Sequence, residues 1–354
     1  MRAAIVSAPK TILSNPHGRH NYFAWPTVVR TKNGRLMVGA SGFRLRHVCP
    51  FGKCVVAFSD DEGESWTSPM VALDSPLDDR DAGLCPFGES GVVLTSFNNT
   101  RQRQRERLAE DDPQKDYISA YLDTITDEEE EKYLGYLSAV SHDNGSSFGR
   151  LFKAPVSSPH GPLVLDDQRL LWIGTRFDDG VKTVAAYTSD FAGGAQAYLS
   201  TLPGTVPGSR DCEPHAVLLP DGRIVCHIRA ERKEPKLFTL FQTVSHDLGK
   251  TWSKPVQLLG DTGGAPAQLL VTSDGKLLSA YARRTSPQKI LAMVSLDGGE
   301  TWQTDLELAD CIGWDCGYPA TVELKNGNYL TVYYAHDCEE GPAVVKQVIW
   351  NIET

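Results

Sequence analysis

The sequence of 354 residues contains no run near the ~18 uninterrupted apolar residues that a membrane span needs, so no membrane association is expected. Its first residues, MRAAIVSAPKTILSNPHGRH, lack a long apolar core followed by a small-residue cleavage site, and the expectation is cytoplasmic residence. An excess of positive charge is also missing: 35 Lys and Arg stand against 45 Asp and Glu, a formal charge of −10. Nucleic-acid binders draw affinity from cationic contacts to phosphate, so no nucleic-acid partner is expected. Among the eight cysteines, Cys49 and Cys54 in HVCPFGKC lie close together, but no second pair of matching spacing and no nearby HxxxH accompanies them. Reduced, largely buried thiols are therefore expected, with no metal and no disulfide framework, and no cofactor is called for.

What is present is repetition. The 31 Gly and 21 Pro imply many short connections, and 41% hydrophobic residues can fill a substantial core, read here as one domain over 1–354. A turn of the form SxDxGx[ST]W recurs as SDDEGESW (59–66), SHDLGKTW (245–252) and SLDGGETW (295–302), with SHDNGSSF (141–148) as a fourth copy and TSDFAGG (188–194) as an eroded fifth. The chemistry of this turn is structural: the Asp accepts backbone N–H bonds, the Gly supplies positive φ, and the aromatic residue is expected to pack on its own blade.

A second signal pairs a Pro and an alternating strand with a hairpin turn and another apolar strand. It reads AWPTVVRTKNGRLMVGA, CPFGESGVVLTSF, HGPLVLDDQRLLWIG, CEPHAVLLPDGRIVCHIR, GAPAQLLVTSDGKLLSAYAR and GYPATVELKNGNYLTVYY. Six copies, each the inner hairpin of a blade with the Asp turn joining the next two strands, predict an all-β, six-bladed β-propeller. The terminal strands AAIVSA and AVVKQVIWNI are expected to complete the last blade together and close the ring. Residues 101–134 interrupt the rhythm with charge, helix formers and a central Pro, predicting a helical insertion in blade two. The segment reads first as a solvated excursion and second as a cover for one end of the propeller.

Residues at the ends of the six inner hairpins can converge on the axis, and those places are rich in Arg. They hold Arg44, Arg46 and His47; Arg80 and Asp81; His160 and Arg176; Arg210, Asp211, Glu213, His215 and Arg229; Arg283 and Arg284; and Asp315, Tyr318, Tyr334 and His336. Arg in an acidic protein points to a pocket for an anionic ligand, because guanidinium matches carboxylate bidentately and stays charged when buried. The competing reading is a set of structural ion pairs with Asp81, Asp211, Glu213 and Asp315.

The Asp turns and the six hairpins resemble those of the sialidase (neuraminidase) superfamily over essentially the whole chain. The resemblance implies a propeller of the sialidase type and a Tyr nucleophile assisted by a Glu, with Arg residues holding a substrate carboxylate and an Asp as acid/base. GYPATVELKNGNYLTVYY resembles the segment that carries the nucleophile, which places Tyr318 in that role, and CEPHAVLLPDGRIVCHIR places Glu213 and Arg229. A phenol is a weak nucleophile at neutral pH, and a nearby carboxylate can take its proton as attack proceeds.

Two departures stand out. The family's Arg-Ile-Pro at the first blade is Ala24-Trp25-Pro26 here, and the following loop, RLRHVCPFGKC, has no carboxylate. His47 or Asp81 is left as acid/base; Arg44 or Arg46 as substitute for the missing Arg; and Arg284 or Lys289 as the remaining one. Arg80, Arg176, His160, His215 and Asp315 complete the expected substrate contacts. The implied function is exo-hydrolysis of an acidic sugar with retention, on sialic acid or a related keto-deoxy sugar. The alternatives are another glycosidase or a lyase of acidic saccharides using His47, His160 or His215, or a non-catalytic carbohydrate-binding propeller. The oligomeric state is left open.

Overall fold

Alternating apolar strands that each end in a tight turn can bury both faces only by stacking sheet on sheet, and a ring of sheets does this with few free edges. The computed structural model describes residues 1–178, 181–191, 193–261 and 266–353, and of Asp178 only the backbone. Among these, the strands form six four-stranded antiparallel sheets, the blades of one propeller. The innermost strands of blades one, two, four and six are Tyr22–Arg30, Arg80–Phe87, Arg210–Leu218 and Gly317–Glu323. Blades three and five begin with the shorter Leu163–Val164 and Gln268–Val271. Blade six takes its outer strand from the amino terminus, with Arg2–Leu13 pairing antiparallel to Ala343–Glu353. The two ends of the chain therefore close the ring, as the terminal apolar strands anticipate.

The Asp turns join the third and fourth strands of their blades. In the turn at 295–302, Asp297 accepts bonds from Ser295 Oγ (2.7 Å), the Thr301 N–H (2.9 Å) and Thr301 Oγ1 (2.5 Å), and Gly299 holds a φ of 92°. These bonds favour the carboxylate, and the four Asp61, Asp143, Asp247 and Asp297 carboxyls are all held down at about 2. The eroded turn keeps one such bond, from the Gly194 N–H to Asp190 (2.9 Å); Ala192 within it lies outside the described residues, as do Gly264 and Ala265 at the start of the fifth hairpin motif.

The aromatic residue of the turn packs on its own blade, as expected, and on the blade before it as well. Trp66 Nε1 of blade one donates to Gln347 of blade six (2.7 Å), Trp252 of blade four to Ser200 of blade three (3.1 Å), and Trp302 of blade five to Gln242 of blade four (2.9 Å). Each indole N–H reaches an acceptor on the preceding blade, and that of Trp252 also reaches the Gly249 carbonyl of its own turn (3.1 Å). The Asp turns are thus rivets between blades.

Residues 101–134 do form helices, Arg101–Arg105, Lys115–Thr124 and Asp127–Tyr133, the last opened by a Thr126–Glu129 capping box. They are not a solvated excursion. Ile118, Leu122 and Ile125 are buried with Leu77, and Leu45 and Phe51 pack against them. Tyr121 donates to the Pro76 carbonyl (3.0 Å), and Asp112 pairs with Arg46 (2.5 Å). The insertion therefore buttresses the blade-one loop 44–52, which carries His47. No helix among the described residues is long and apolar enough to cross a membrane.

Two predictions follow from the rivets. Trp302→Ala removes a partly buried indole and its inter-blade bond and should cost about 3 kcal/mol, read from the denaturation midpoint; a change within about 0.5 kcal/mol would deny the rivet. The folded pKa of Asp297 lies below its unfolded value, so its contribution is complete above the unfolded pKa and is lost as pH falls toward about 2. Asp297→Asn should lower Tm near neutral pH, with a difference that shrinks toward pH 2, and a difference independent of pH would contradict this assignment.

Candidate active site

The innermost strands do not run straight to their axial ends. In four blades the pairing with the neighbouring strand slips: Ala24 to Thr27 in blade one, after a first slip from Tyr22 to Ala24, Arg80 to Gly83 in blade two, Cys212 to His215 in blade four and Gly317 to Ala320 in blade six. Within these bulges lie Trp25, Asp81, Glu213 and Tyr318, with φ of 54°, 59°, 50° and 49°. Positive φ is costly for side chains of this size and persists where the surrounding fold enforces it, commonly beside a functional site. In blade three the equivalent step is taken by Gly161 (φ 88°), directly after His160. The bulges turn four large side chains from blade faces toward a shared axial end.

There the Arg229 guanidinium joins two of them, donating to the Glu213 carboxylate and lying 3.4 Å from the Tyr318 oxygen. Burial pushes the Glu213 carboxyl up, but Arg229, the Tyr318 hydroxyl and Lys182 together outweigh it and hold it below the ordinary value. Tyr318 is held well above the usual phenol value by burial and the Glu213 charge, against the pull of Arg229 and Arg284. The pair therefore rests as a protonated phenol against an ionised carboxylate. Glu231, not singled out in the sequence, shares Arg229. Arg284 donates to the Cys316 carbonyl (2.7 Å) and Tyr334 hydroxyl (2.8 Å), and no carboxylate pairs with it among the described residues.

Asp81 behaves differently. Burial first and the Glu213 charge second push its carboxyl up to about 7, against Arg80, Arg44 and Arg229. Two acidic groups in one site are thereby driven in opposite directions.

A second cluster surrounds Asp315. Its carboxylate accepts from Tyr22 (2.7 Å), Tyr334 (2.9 Å) and His47 Nδ1 (2.8 Å), and these donors outweigh burial to hold it well below the usual range. Asp315 is thus occupied by the protein's own donors. The His47 pKa is lowered, by burial above all, against the Asp315 hydrogen bond; the neutral ring donates from Nδ1, leaving Nε2 as acceptor.

The remaining expected contacts are placed elsewhere. Arg44 has no exposed surface and pairs with buried Asp78 at 2.6 Å, so its charge is spent inside the blade. Arg46 pairs with Asp112 of the insertion. Arg80 donates to the His47 carbonyl (2.8 Å) and lies 4.0 Å from the Trp25 ring centroid, stacked beneath the residue that stands where the family has Arg. Arg176 bonds Tyr187 and lies 5.9 Å from the Tyr198 ring centroid, directed toward the outer strands of blade three. Lys289 pairs with Glu307 (2.8 Å) and Asp310 (2.9 Å) on the outer strand of blade five. His160 packs 6.3 Å from the Tyr318 ring and His215 5.6 Å from His160. Burial lowers both, His160 to about 4, so they are neutral at pH 7. The His215 Nδ1 accepts from the Leu269 N–H (3.0 Å).

Among the described residues no group of three or more His, Cys, Asp or Glu side chains is placed to hold a metal ion. The residues that sequence reasoning missed, Tyr22, Asp78 and Glu231, carry no motif; only their partners reveal them.

Comparison with known proteins agrees with this architecture. A Dyadobacter fermentans protein of unknown function matches at a TM-score of 0.79 and 19% identity, covering 99% of each chain. The NanB sialidase from Streptococcus pneumoniae matches at 0.67 and 15% identity, over 97% of this chain and 70% of its own. The leech intramolecular trans-sialidase matches at 0.65 and 14%, over 98% of this chain and 70% of its own. At such identities the likeness carries the fold. No curated protein matches in sequence. The family model for the BNR repeat-like domain matches residues 141–332, more than half of the chain, from the second Asp turn to the strand after Tyr318. The chain belongs to the BNR repeat-like domain family.

Proposed function

We propose that the protein is a retaining glycoside hydrolase of acidic sugars, sialic acid or a related keto-deoxy sugar, with Tyr318 as nucleophile. The observation that carries this reading is Arg229 bonded to both Glu213 and Tyr318 at the axial end of the ring. As the Tyr318 oxygen attacks the anomeric carbon, Glu213 takes the phenolic proton, the bond to the leaving group breaks, and Asp81 protonates the departing oxygen. Water, deprotonated by Asp81, then attacks the glycosyl-tyrosine; Glu213 returns its proton to Tyr318, and the sugar leaves with retained configuration. A neutral phenol suits a substrate whose anomeric carbon bears a carboxylate, where an anionic nucleophile would meet repulsion. Arg284, which has no carboxylate partner among the described residues, supplies the charge for that group, with Arg229 beside it. Trp25 stands where the resemblance calls for a further Arg.

A second reading rests on the His47–Asp315 contact, a carboxylate-oriented imidazole suited to a lyase or other glycosidase. The two readings separate on Tyr318→Phe. Release from fluorogenic keto-acid glycosides should fall by about 10³-fold or more, with Glu213→Gln following it. Full activity in the Phe variant would transfer the chemistry to His47.

The first step needs Glu213 ionised and Asp81 protonated, so kcat/KM should fall as pH rises through about 7 and as it falls through the depressed Glu213 value. Asp81→Asn should remove the alkaline limb and cost about 10²–10⁴-fold on leaving groups that need a proton, but little on a nitrophenol. An alkaline limb that survives in Asp81→Asn would remove Asp81 from the acid/base role.

A further inference from the structure

Away from the axial end, a cavity of about 310 Å³ opens where the helical insertion returns to blade two. One wall is Lys132 and Tyr133 at the end of the helix Asp127–Tyr133, and the other is Arg150, Leu151, Phe152 and Lys153 on and before the outermost strand of that blade. Its floor includes Leu137, which is buried in the core between blades one and two, with Tyr133 and Leu151 packed against that core.

The walls are fixed from several sides. Gly135 (φ 115°) turns the chain out of the helix, and Asn98 clamps this turn by accepting the Gly135 N–H (2.8 Å) and donating to the Tyr133 carbonyl (2.9 Å). The Phe152 ring lies so close to Gly193 of blade three that a Cβ there would come within 2.2 Å of it, and Gln196 of the same blade donates to the Lys153 carbonyl (2.8 Å). Ahead of Arg150, the Gly149 N–H bonds the Val140 carbonyl (2.9 Å).

The charge of this wall opposes that of the whole chain. Three cations line the cavity and no Asp or Glu does, in a protein with a formal charge of −10. The acidic run on the same helix is engaged elsewhere: Glu129 closes the capping box with Thr126, and Glu130 pairs with Arg101. Lys132 lies 4.9 Å from the Tyr133 ring centroid and Lys153 donates to the Leu134 carbonyl; among the described residues neither they nor Arg150 forms an ion pair. A concave wall of one sign concentrates its field, and an apolar floor beneath a few charged groups is the make-up of a small-molecule site.

We propose that this cavity is a second binding site, for a small organic anion with a flat apolar body. Its carboxylate, sulfate or phosphate group meets Arg150, Lys132 and Lys153, while the body lies on Leu137, Leu151 and Phe152. The site sits at the circumference of the ring and is independent of the hydrolase reading.

The test uses two fluorescent probes, 1-anilinonaphthalene-8-sulfonate and N-phenyl-1-naphthylamine, which is the same body without the charge. Wild type should bind the sulfonate saturably and the neutral amine more weakly. A Lys132→Ala/Arg150→Ala variant, both of whose side chains are exposed, should keep the wild-type Tm, weaken the sulfonate at least about fivefold and change the amine less than about twofold. Leu151→Trp, which fills the cavity, should weaken both probes. Sulfonate binding unchanged in these variants, or no saturable binding by wild type, would overturn the site. Equal weakening of both probes in the double variant would overturn its selectivity for an anion.

Discussion

Four side chains held at positive φ, Trp25, Asp81, Glu213 and Tyr318, occupy the same bulge in four innermost strands, and the chemistry of the axial end depends on them. A bulge that aims a Tyr or Glu along the axis is unfavourable in isolation. It persists because the neighbouring blades leave no room for the strand to relax. Pairing of Arg2–Leu13 with Ala343–Glu353 closes the ring, and Trp66, Trp252 and Trp302 each tie a blade to its predecessor. Fold stability and site geometry are therefore one problem: the outer rivets hold the blades at the angle that makes the inner bulges converge.

Within that frame the charges are sorted by partner. Arg229 holds Glu213 ionised, while burial and the Glu213 charge keep Asp81 protonated up to about 7. One carboxyl is ready to take a proton and the other to give one, without either leaving its strand. Asp315 has three donors on its carboxylate and serves as an anchor, fixing His47 on one side and the loop of Trp314 on the other. The insertion joins the same network from outside: Gln104 reaches Asp78 at 2.8 Å, and Asp78 meets both Arg44 and Arg80 beneath Trp25.

The propeller was legible in the sequence because its signals are local. Each Asp turn satisfies itself within a few residues, and each inner hairpin announces itself by a Pro and a tight turn. Tyr318 and Glu213 were legible as neighbours through the resemblance of their two segments, in which each precedes a Pro at the same point of the repeat. What could not be read was which partner each charge would find. Arg44 and Arg46 look alike in RLRHV, yet one is buried against Asp78 and the other reaches Asp112 in the insertion. The direction in which the Asp-turn Trp leans was hidden likewise, because its acceptor lies on a neighbouring blade, as far away in sequence as Gln347 is from Trp66. Spacing predicts what lies within one blade; contacts between blades require the ring.

The central claim is that Tyr318, activated by Glu213, forms the covalent bond to the sugar. A keto-acid sugar with fluorine at the anomeric carbon and at its neighbour combines a good leaving group with a destabilised cationic transition state, so it should load the nucleophile faster than water clears it. Mass spectrometry of the protein after incubation with this reagent should find one sugar per chain, on the peptide containing Tyr318, and none in Tyr318→Phe. An unlabelled protein, or a label on any other residue, would contradict the account.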